Sequence, residues 1–468
     1  MKNLTYLFAL LFLVFQSCTN TTQHQAESHP IVLSDSSRLA SCVFLTTDEK
    51  NQVVASWVEI DSAQSKFFYF AHWDSETNTF SSPKAIPMAG NASIHEEGMP
   101  KIAFKGDGTL VAIYETNVPL ENSRFGLSDI QYIFSSDRGQ TWTEPQSIQP
   151  DPEQGSVSFA NILRLDDGEI GLSWLGTNPA KAHGGRPVQF ARTSGNNSFS
   201  DPITIDPNAC QCCRTAISSD GQGQIRVLYR DILPGSVRDI SLSRSTDHGK
   251  TFQEPSSFSN DNWVLEGCPH NGPSVVSKGD TTYVAWFTGS SQNGVFYAEL
   301  DQDNNMIHKQ RLDAEGRFVQ VCLLQDGTRM VAYNKNYSDS GDAFSKIVIN
   351  KINDQGMFEK EISTGKSHAS YPVVQQVDPQ NILVAWSDDG KIRYRLVHAD
   401  QVNSIKAEAP EGSLSMAGNV ALAISNDTDP VCGMQLGKTA DVRNTLQDNG
   451  KTIGFCGQAC KKQFGSLH

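Results

Sequence analysis

The chain has 468 residues, with 38 Lys and Arg against 52 Asp and Glu for a formal net charge of −14, and it is 38% hydrophobic with 36 Gly and 20 Pro. That length exceeds one ordinary core and suits a large repeat domain joined to something small, and the Gly and Pro content suits a turn-rich, mostly β protein. The acidic balance, with no basic run anywhere, excludes a nucleic-acid backbone as partner, because phosphate binding needs clustered Lys and Arg.

The first element along the chain is an address. Lys2 precedes an apolar run from Leu4 to Phe15, and Gln16-Ser17-Cys18 follows. The run is too short and wrongly flanked for a globular element, and it reads as a bacterial export signal over 1–17. The small residue before Cys18 resembles a lipoprotein lipobox. That resemblance implies acylation of Cys18, a tether over 18–33, and a lipid-anchored place in the bacterial cell envelope, periplasmic or surface-exposed. A plain cleaved signal with Cys18 incidental is the alternative.

From 34 to 405 the sequence repeats itself. Seven short apolar strands carry aromatic residues at Trp57, Tyr114, Trp174, Tyr229, Trp286, Tyr333 and Trp386, which lie 57, 60, 55, 57, 47 and 53 residues apart. Most follow a turn such as Gly106-Asp107-Gly108 or Asp166-Asp167-Gly168. Self-similarity at this period predicts a propeller of four-stranded blades. The clearest unit runs from Ala209 to Phe252, with strands expected over Thr215–Ser219, Ile225–Tyr229 and Ile240–Arg244. It closes on Ser245-Thr246-Asp247-His248-Gly249-Lys250-Thr251-Phe252, and Ser135-Ser136-Asp137-Arg138-Gly139-Gln140-Thr141-Trp142 closes the second repeat in the same way. Asn78-Thr79-Phe80 and Asn197-Ser198-Phe199 are weaker cousins. These turns resemble the Asp-box, S-x-D-x-G-x-T-W/F, of sialidase-like (BNR) propellers. The resemblance implies an all-β fold, a six- or seven-bladed β-propeller. The short last repeat, Ser370 to His398, is either completed by an amino-terminal strand near Ile31–Leu33 or stands outside a six-fold ring.

If the Asp-box turns join third and fourth strands, the loops before first strands and after second strands share the opposite face, around the channel. Those loops carry His95-Glu96-Glu97, Cys210-Gln211-Cys212-Cys213-Arg214, Cys268-Pro269-His270, Arg317 and His368-Ala369-Ser370-Tyr371, with His183, Arg186, Arg230-Asp231 and Arg238-Asp239 beside them. Two chemistries suit this mouth. The sialidase resemblance implies an exo-acting glycoside hydrolase taking a glycan, in which three Arg clamp a carboxylate, a Tyr paired with a Glu is the nucleophile and an Asp is the acid/base. Arg214, Arg317 and Tyr371 stand at matching positions and would be the catalytic residues. The first clamp Arg, usually in an F-R-I-P-like stretch, is missing, because the matching segment is Gly98-Met99-Pro100-Lys101.

The second chemistry is a soft-metal site, copper or zinc, built from Cys210, Cys212, Cys213, Cys268 and His270. C-x-C-C-[QR]-T together with G-C-P-x-N-G-P resembles a group of exported sialidase-like proteins of obscure activity. In an oxidising compartment the same cysteines pair as disulfides about as readily. The bland expectations are that His95 and His368 are hydrogen-bonded loop residues, that Arg230 and Arg238 pair with Asp231 and Asp239, and that the four Trp of the repeat pack between blades.

After a linker over 406–428, the tail 429–468 holds Asp429-Pro430-Val431-Cys432-Gly433-Met434 and Gly454-Phe455-Cys456-Gly457-Gln458-Ala459-Cys460-Lys461-Lys462-Gln463-Phe464. This resembles the YHS domain, related to the TRASH metal-binding group, and implies a small α+β module binding metal through Cys432, Cys456 and Cys460. Cys456 and Cys460, four apart, share one face of a short helix. Three cysteines cannot all pair internally, and so small a module gains from a staple, copper before zinc. The function expected is that of an envelope lipoprotein with a metal-binding tail and a propeller that binds or handles metal; the hydrolase is the alternative.

Overall fold

In a computed structural model, each of the seven aromatic-bearing stretches forms the second strand of its own antiparallel sheet. The structure describes residues 29–118, 126–149, 155–178, 184–195, 197–339 and 342–405, and in the tail 421–426, 430, 439–441, 445–448, 450–455 and 464. The second strands are Val53–Ile60, Leu110–Val118, Ile170–Leu175, Ile225–Arg230, Thr281–Thr288, Arg329–Asp339 and Asn381–Asp388. They are buried almost continuously, without the in-out alternation of a half-exposed strand, because each blade is covered on both faces by its neighbours. Trp57, Trp174, Trp286 and Trp386 are fully buried in these strands, as expected for packing between blades.

The first strands are Leu39–Thr47, Lys101–Phe104, Ser158–Arg164, Ala216–Ser219, Ser274–Lys278, Gly316–Leu323 and Ser370–Gln376. They lie against one another in sequence and the last meets the first, so they line the axis of a closed ring. Ile31–Val32 pairs antiparallel with Lys391–His398 and gives the seventh sheet its fourth strand. Leu33 N–H then donates to Ile392 O at 2.8 Å, and Ile392 N–H donates to Ser34 Oγ at 3.1 Å. The propeller therefore has seven blades, closed by the amino-terminal strand.

Both full Asp-boxes join third to fourth strands. Asp247 Oδ1 accepts from the N–H of Lys250 and Thr251 at 3.0 and 2.9 Å and its Oδ2 accepts from Thr251 Oγ1 at 2.6 Å, while Gly249 N–H donates to Ser245 Oγ at 2.8 Å. The turn of Asp137 repeats the pattern bond for bond. The terminal aromatic reaches the preceding blade: Phe252 packs on Phe190, Phe199 on Tyr132 and Phe134, and Phe80 on Tyr394 across the closure.

In the tail, Ala421–Ala423 pairs with Thr439–Asp441, so a strand stands inside the stretch read as linker, and Thr445–Asp448 forms a hairpin with Lys451–Gly454. Phe455 and Phe464 face each other with ring centroids 5.3 Å apart. Cys18, His183, Cys432, Cys456 and Cys460 lie outside the described residues.

Candidate functional site

Four first strands share one irregularity near their start. Pairing with the second strand slips between Ser41 and Phe44, Ser158 and Asn161, Arg317 and Gln320, and Ser370 and Val373. At each slip one residue takes a left-handed backbone: Cys42, Phe159, Phe318 and Tyr371, with φ of 63°, 60°, 53° and 50°. A bulge of this kind kinks the strand and leaves an amide outside the ladder. Side chains from other blades satisfy three of these amides. Glu96 Oε2 accepts from Cys42 N–H at 3.2 Å, Glu115 Oε1 from Phe159 N–H at 2.6 Å, and Asn271 Oδ1 from Phe318 N–H at 3.2 Å. Polar side chains thus tie the mouth loops to one another.

Glu97, fully buried, is the hub. Its Oε1 meets Arg214 Nη1 at 2.5 Å, and its Oε2 accepts from the N–H of Arg214 at 3.0 Å and of Gly272 at 3.2 Å. Arg214 also donates to Val319 O at 3.1 Å and is only 4% exposed. Its guanidinium is committed to the protein itself. Tyr371 stacks on Phe318 at 3.9 Å between ring centroids, and burial with the charges of Glu97 and Glu96 holds its hydroxyl pKa well above the ordinary value. Arg317 lies over the Phe287 ring at 4.3 Å. Where a sialidase has its first clamp Arg, a Cβ added to Gly98 would sit 2.5 Å from Glu115 Oε1. Lys101 is buried and points away to Met99 O and Ala160 O at 3.2 and 2.8 Å; burial pushes its pKa down to about 8. Of the three expected hydrolase residues, Arg214 and Tyr371 gather about Glu97, and Arg317 lies over Phe287.

The cysteines do converge. The sulfurs of Cys210, Cys212 and Cys268, from two successive loops, all lie within 4.8 Å of one another. Cys210 Sγ is 4.0 Å from Cys212 Sγ and 3.9 Å from Cys213 Sγ, and all four are free thiols. Cys213 falls outside the trio and its sulfur accepts from Asn271 N–H at 3.4 Å. His270, also expected in the set, does not join it; its ring instead lies 5.6 Å from that of His95. Phe159 and Ile232 pack against the cluster, and Cys268 is its partly exposed member. Thiols of Cys210 and Cys212 hydrogen-bonded to Cys268 pull its pKa down to about 5, whereas burial pushes Cys213 up to about 11.

His95 Nδ1 accepts from Glu97 N–H at 3.1 Å, which bears out the loop-residue expectation. Arg230 braces differently from the expected Asp pairing. It donates to the backbone oxygens of Asn271, Arg238 and Phe287, while Asp239 caps Asn262 and Trp263. Glu115 and the bulge residues Phe159 and Phe318 were not singled out from sequence, and Glu97 was read there only as one of the mouth-loop residues. The recurring Ser-Cys, Ser-Phe and Ser-Tyr at 41–42, 158–159 and 370–371 is the signal that marks three of the four bulges.

Compared with known proteins, the model of the BNR repeat-like domain matches residues 37–378. No curated protein matches the sequence. Among solved structures, a protein of unknown function from Dyadobacter fermentans is 13% identical with a TM-score of 0.49, covering 80% of this chain and 98% of that one. The NanB sialidase from Streptococcus pneumoniae is 9% identical with a TM-score of 0.50, covering 81% and 71%. The intramolecular trans-sialidase from Ruminococcus gnavus is 9% identical with a TM-score of 0.48, covering 81% and 98%. At such identities the likeness concerns the fold alone.

Proposed function

Since this chain belongs to the BNR repeat-like domain family and its scaffold is a sialidase-like propeller, we propose that evolution has fitted the propeller mouth for holding a soft metal ion, copper or zinc. Cys210, Cys212 and Cys268 are the ligands in this reading. The observation that carries it is the approach of their three sulfurs, from two loops, to within 4.8 Å of one another. Thiolates suit soft ions, and three sulfurs bound to one ion at about 2.3 Å would stand about 4 Å apart, so little movement is needed. The YHS-like tail, through Cys432, Cys456 and Cys460, is a second metal-binding unit, and the protein works in the bacterial envelope, anchored by a lipid on Cys18. Cys18→Ala should release it from the membrane fraction; unchanged partition would remove the anchor from the proposal.

Elemental analysis of the full chain purified without added metal tests the central claim. About two equivalents of copper or zinc are expected, one lost in Cys212→Ser and the other in Cys456→Ser. Protein that stays metal-free after incubation with either ion under reducing conditions would refute it.

The hydrolase reading is weaker, because Arg214 is tied to Glu97 and Gly98 supplies no guanidinium where the first clamp Arg would stand. Loss of a positioning contact of that kind costs on the order of a thousandfold in rate. A fluorogenic sialoside should not be turned over. Turnover abolished by Tyr371→Phe would restore the hydrolase.

A further inference from the structure

Cys210 is the crossing point of the four mouth sulfurs. Its Sγ lies 4.0 Å from that of Cys212, 3.9 Å from that of Cys213 and within 4.8 Å of that of Cys268. Cys213 stands outside the mutual set of three. It is also held where it is. Its sulfur accepts from Asn271 N–H at 3.4 Å, and Asn271, fully buried, is fixed in turn: its O accepts from Arg230 Nη2 at 3.0 Å and its Oδ1 from Phe318 N–H at 3.2 Å. An amide that donates to a sulfur favours the ionised form, so this contact prepares Cys213 as a thiolate ligand.

We propose that the mouth holds two Cu(I) ions, with Cys210 as the thiolate they share; the proposal rests on the metal-binding reading above. The first ion takes Cys210, Cys212 and Cys268, and the second lies between Cys210 and Cys213. Bond lengths carry the inference. With bonds of about 2.3 Å, two sulfurs on one ion stand about 4.0 Å apart at a trigonal angle and about 4.6 Å apart on opposite sides of it. Cys210 and Cys213, 3.9 Å apart, thus need to open by less than about 1 Å to take an ion of their own. A single ion bound by all four sulfurs would need every pair about 3.8 Å apart. Cys213 falls outside the mutual set, and its loop is pinned through Asn271.

The donor count points to the same ion. Zn(II) held structurally takes four ligands and would find only two at the Cys210–Cys213 position, whereas Cu(I), a soft monovalent ion, is satisfied by two or three sulfurs. On binding, four thiols give their protons to solvent and the four thiolates take two Cu(I) ions, leaving a doubly negative unit; no oxidant or reductant is consumed. The shared thiolate donates to both ions and the ions repel each other, so the second is held more weakly. Protein purified without added metal is therefore expected to carry the first alone.

The test is an anaerobic titration of the full chain with its tail silenced by Cys432→Ser, Cys456→Ser and Cys460→Ser. Cu(I), supplied as its acetonitrile complex, is added against a chromogenic chelator that reports free ion, and X-ray absorption is recorded at the end point. Uptake of two equivalents and a copper–copper scattering peak are expected. Cys213→Ser should reduce uptake to one equivalent and abolish the peak, and Cys210→Ser should abolish the peak as well. At most one equivalent of Cu(I) in the unaltered mouth, or two retained in Cys213→Ser, would overturn the shared-sulfur pair. Uptake of neither Cu(I) nor Zn(II) would overturn the reading on which it rests. The titration of the unaltered mouth decides the matter even if a Cys variant fails to fold.

Discussion

At the scale of single residues, the mouth is built from groups whose ordinary ionisation is disturbed by burial. Glu115 is the plainest: burial pushes its carboxyl up to about 7, against the pull of Phe159 N–H, Lys101 and Arg186. The folded protein therefore keeps a proton that the unfolded chain releases near pH 4.5. Its contribution is fully present below that pH and is lost as pH rises through about 7. Glu115→Gln keeps an oxygen for Phe159 and removes the titration. Relative to this variant, the wild type should lose about 3 kcal/mol of stability across that window. Denaturant unfolding at a series of pH values measures the difference, and parallel profiles would show that the carboxylate stays ionised in the folded state. Lys101 has the opposite sign. With a folded pKa of about 8 against 10.5, its neutral form is favoured, and the associated stability falls as pH drops through about 8.

At the scale of elements, the Asp-box is a turn whose residues each answer a local need. Arg138 and His248 take φ of 60° and 62°, followed by Gly139 and Gly249 at 82° and 80°, and the Asp carboxylate collects the amides that this backbone exposes. Thr251 Oγ1 and N–H hold the carboxyl of Asp247 well below the ordinary range. The turn's contribution is thus present above the ordinary value of 3.8 and is lost on acidification. Asp247→Ala should cost roughly 1 kcal/mol per bond that water does not replace, read as a lower melting temperature, and melting unchanged at neutral pH would sink the assignment. These boxes and the seven second strands were legible in sequence because they depend on local periodicity and on turn residues with fixed offsets. The mouth was legible only in composition. Which sulfurs meet depends on how the loop before Ala216–Ser219 lies beside the loop before Ser274–Lys278, and that is decided by the ring. Hence Cys210, Cys212 and Cys268 come together while His270 does not. The role of Arg214 was misleading for the same reason. Its partner Glu97 lies 117 residues away, and no local pattern reports that the two are joined.

At the scale of the whole molecule, the ring depends on a two-residue clasp. Without Ile31–Val32 the seventh blade would end on Lys391–His398, leaving an open row of backbone donors and acceptors. A chain beginning at Arg38 should melt at lower temperature and associate at high concentration in light scattering, and equal melting of a monomer would show that the clasp is dispensable. The same clasp governs how the protein is made. Ile392 bonds to Ser34 across 358 residues of sequence, so the first strand to emerge from the ribosome has no partner until the last blade exists. Blades can form one by one, but no unfinished length of the chain owns a closed ring, and contacts of such separation are slow to form. The growing chain is therefore committed to waiting open, and the ring can shut only after the whole propeller has been synthesised.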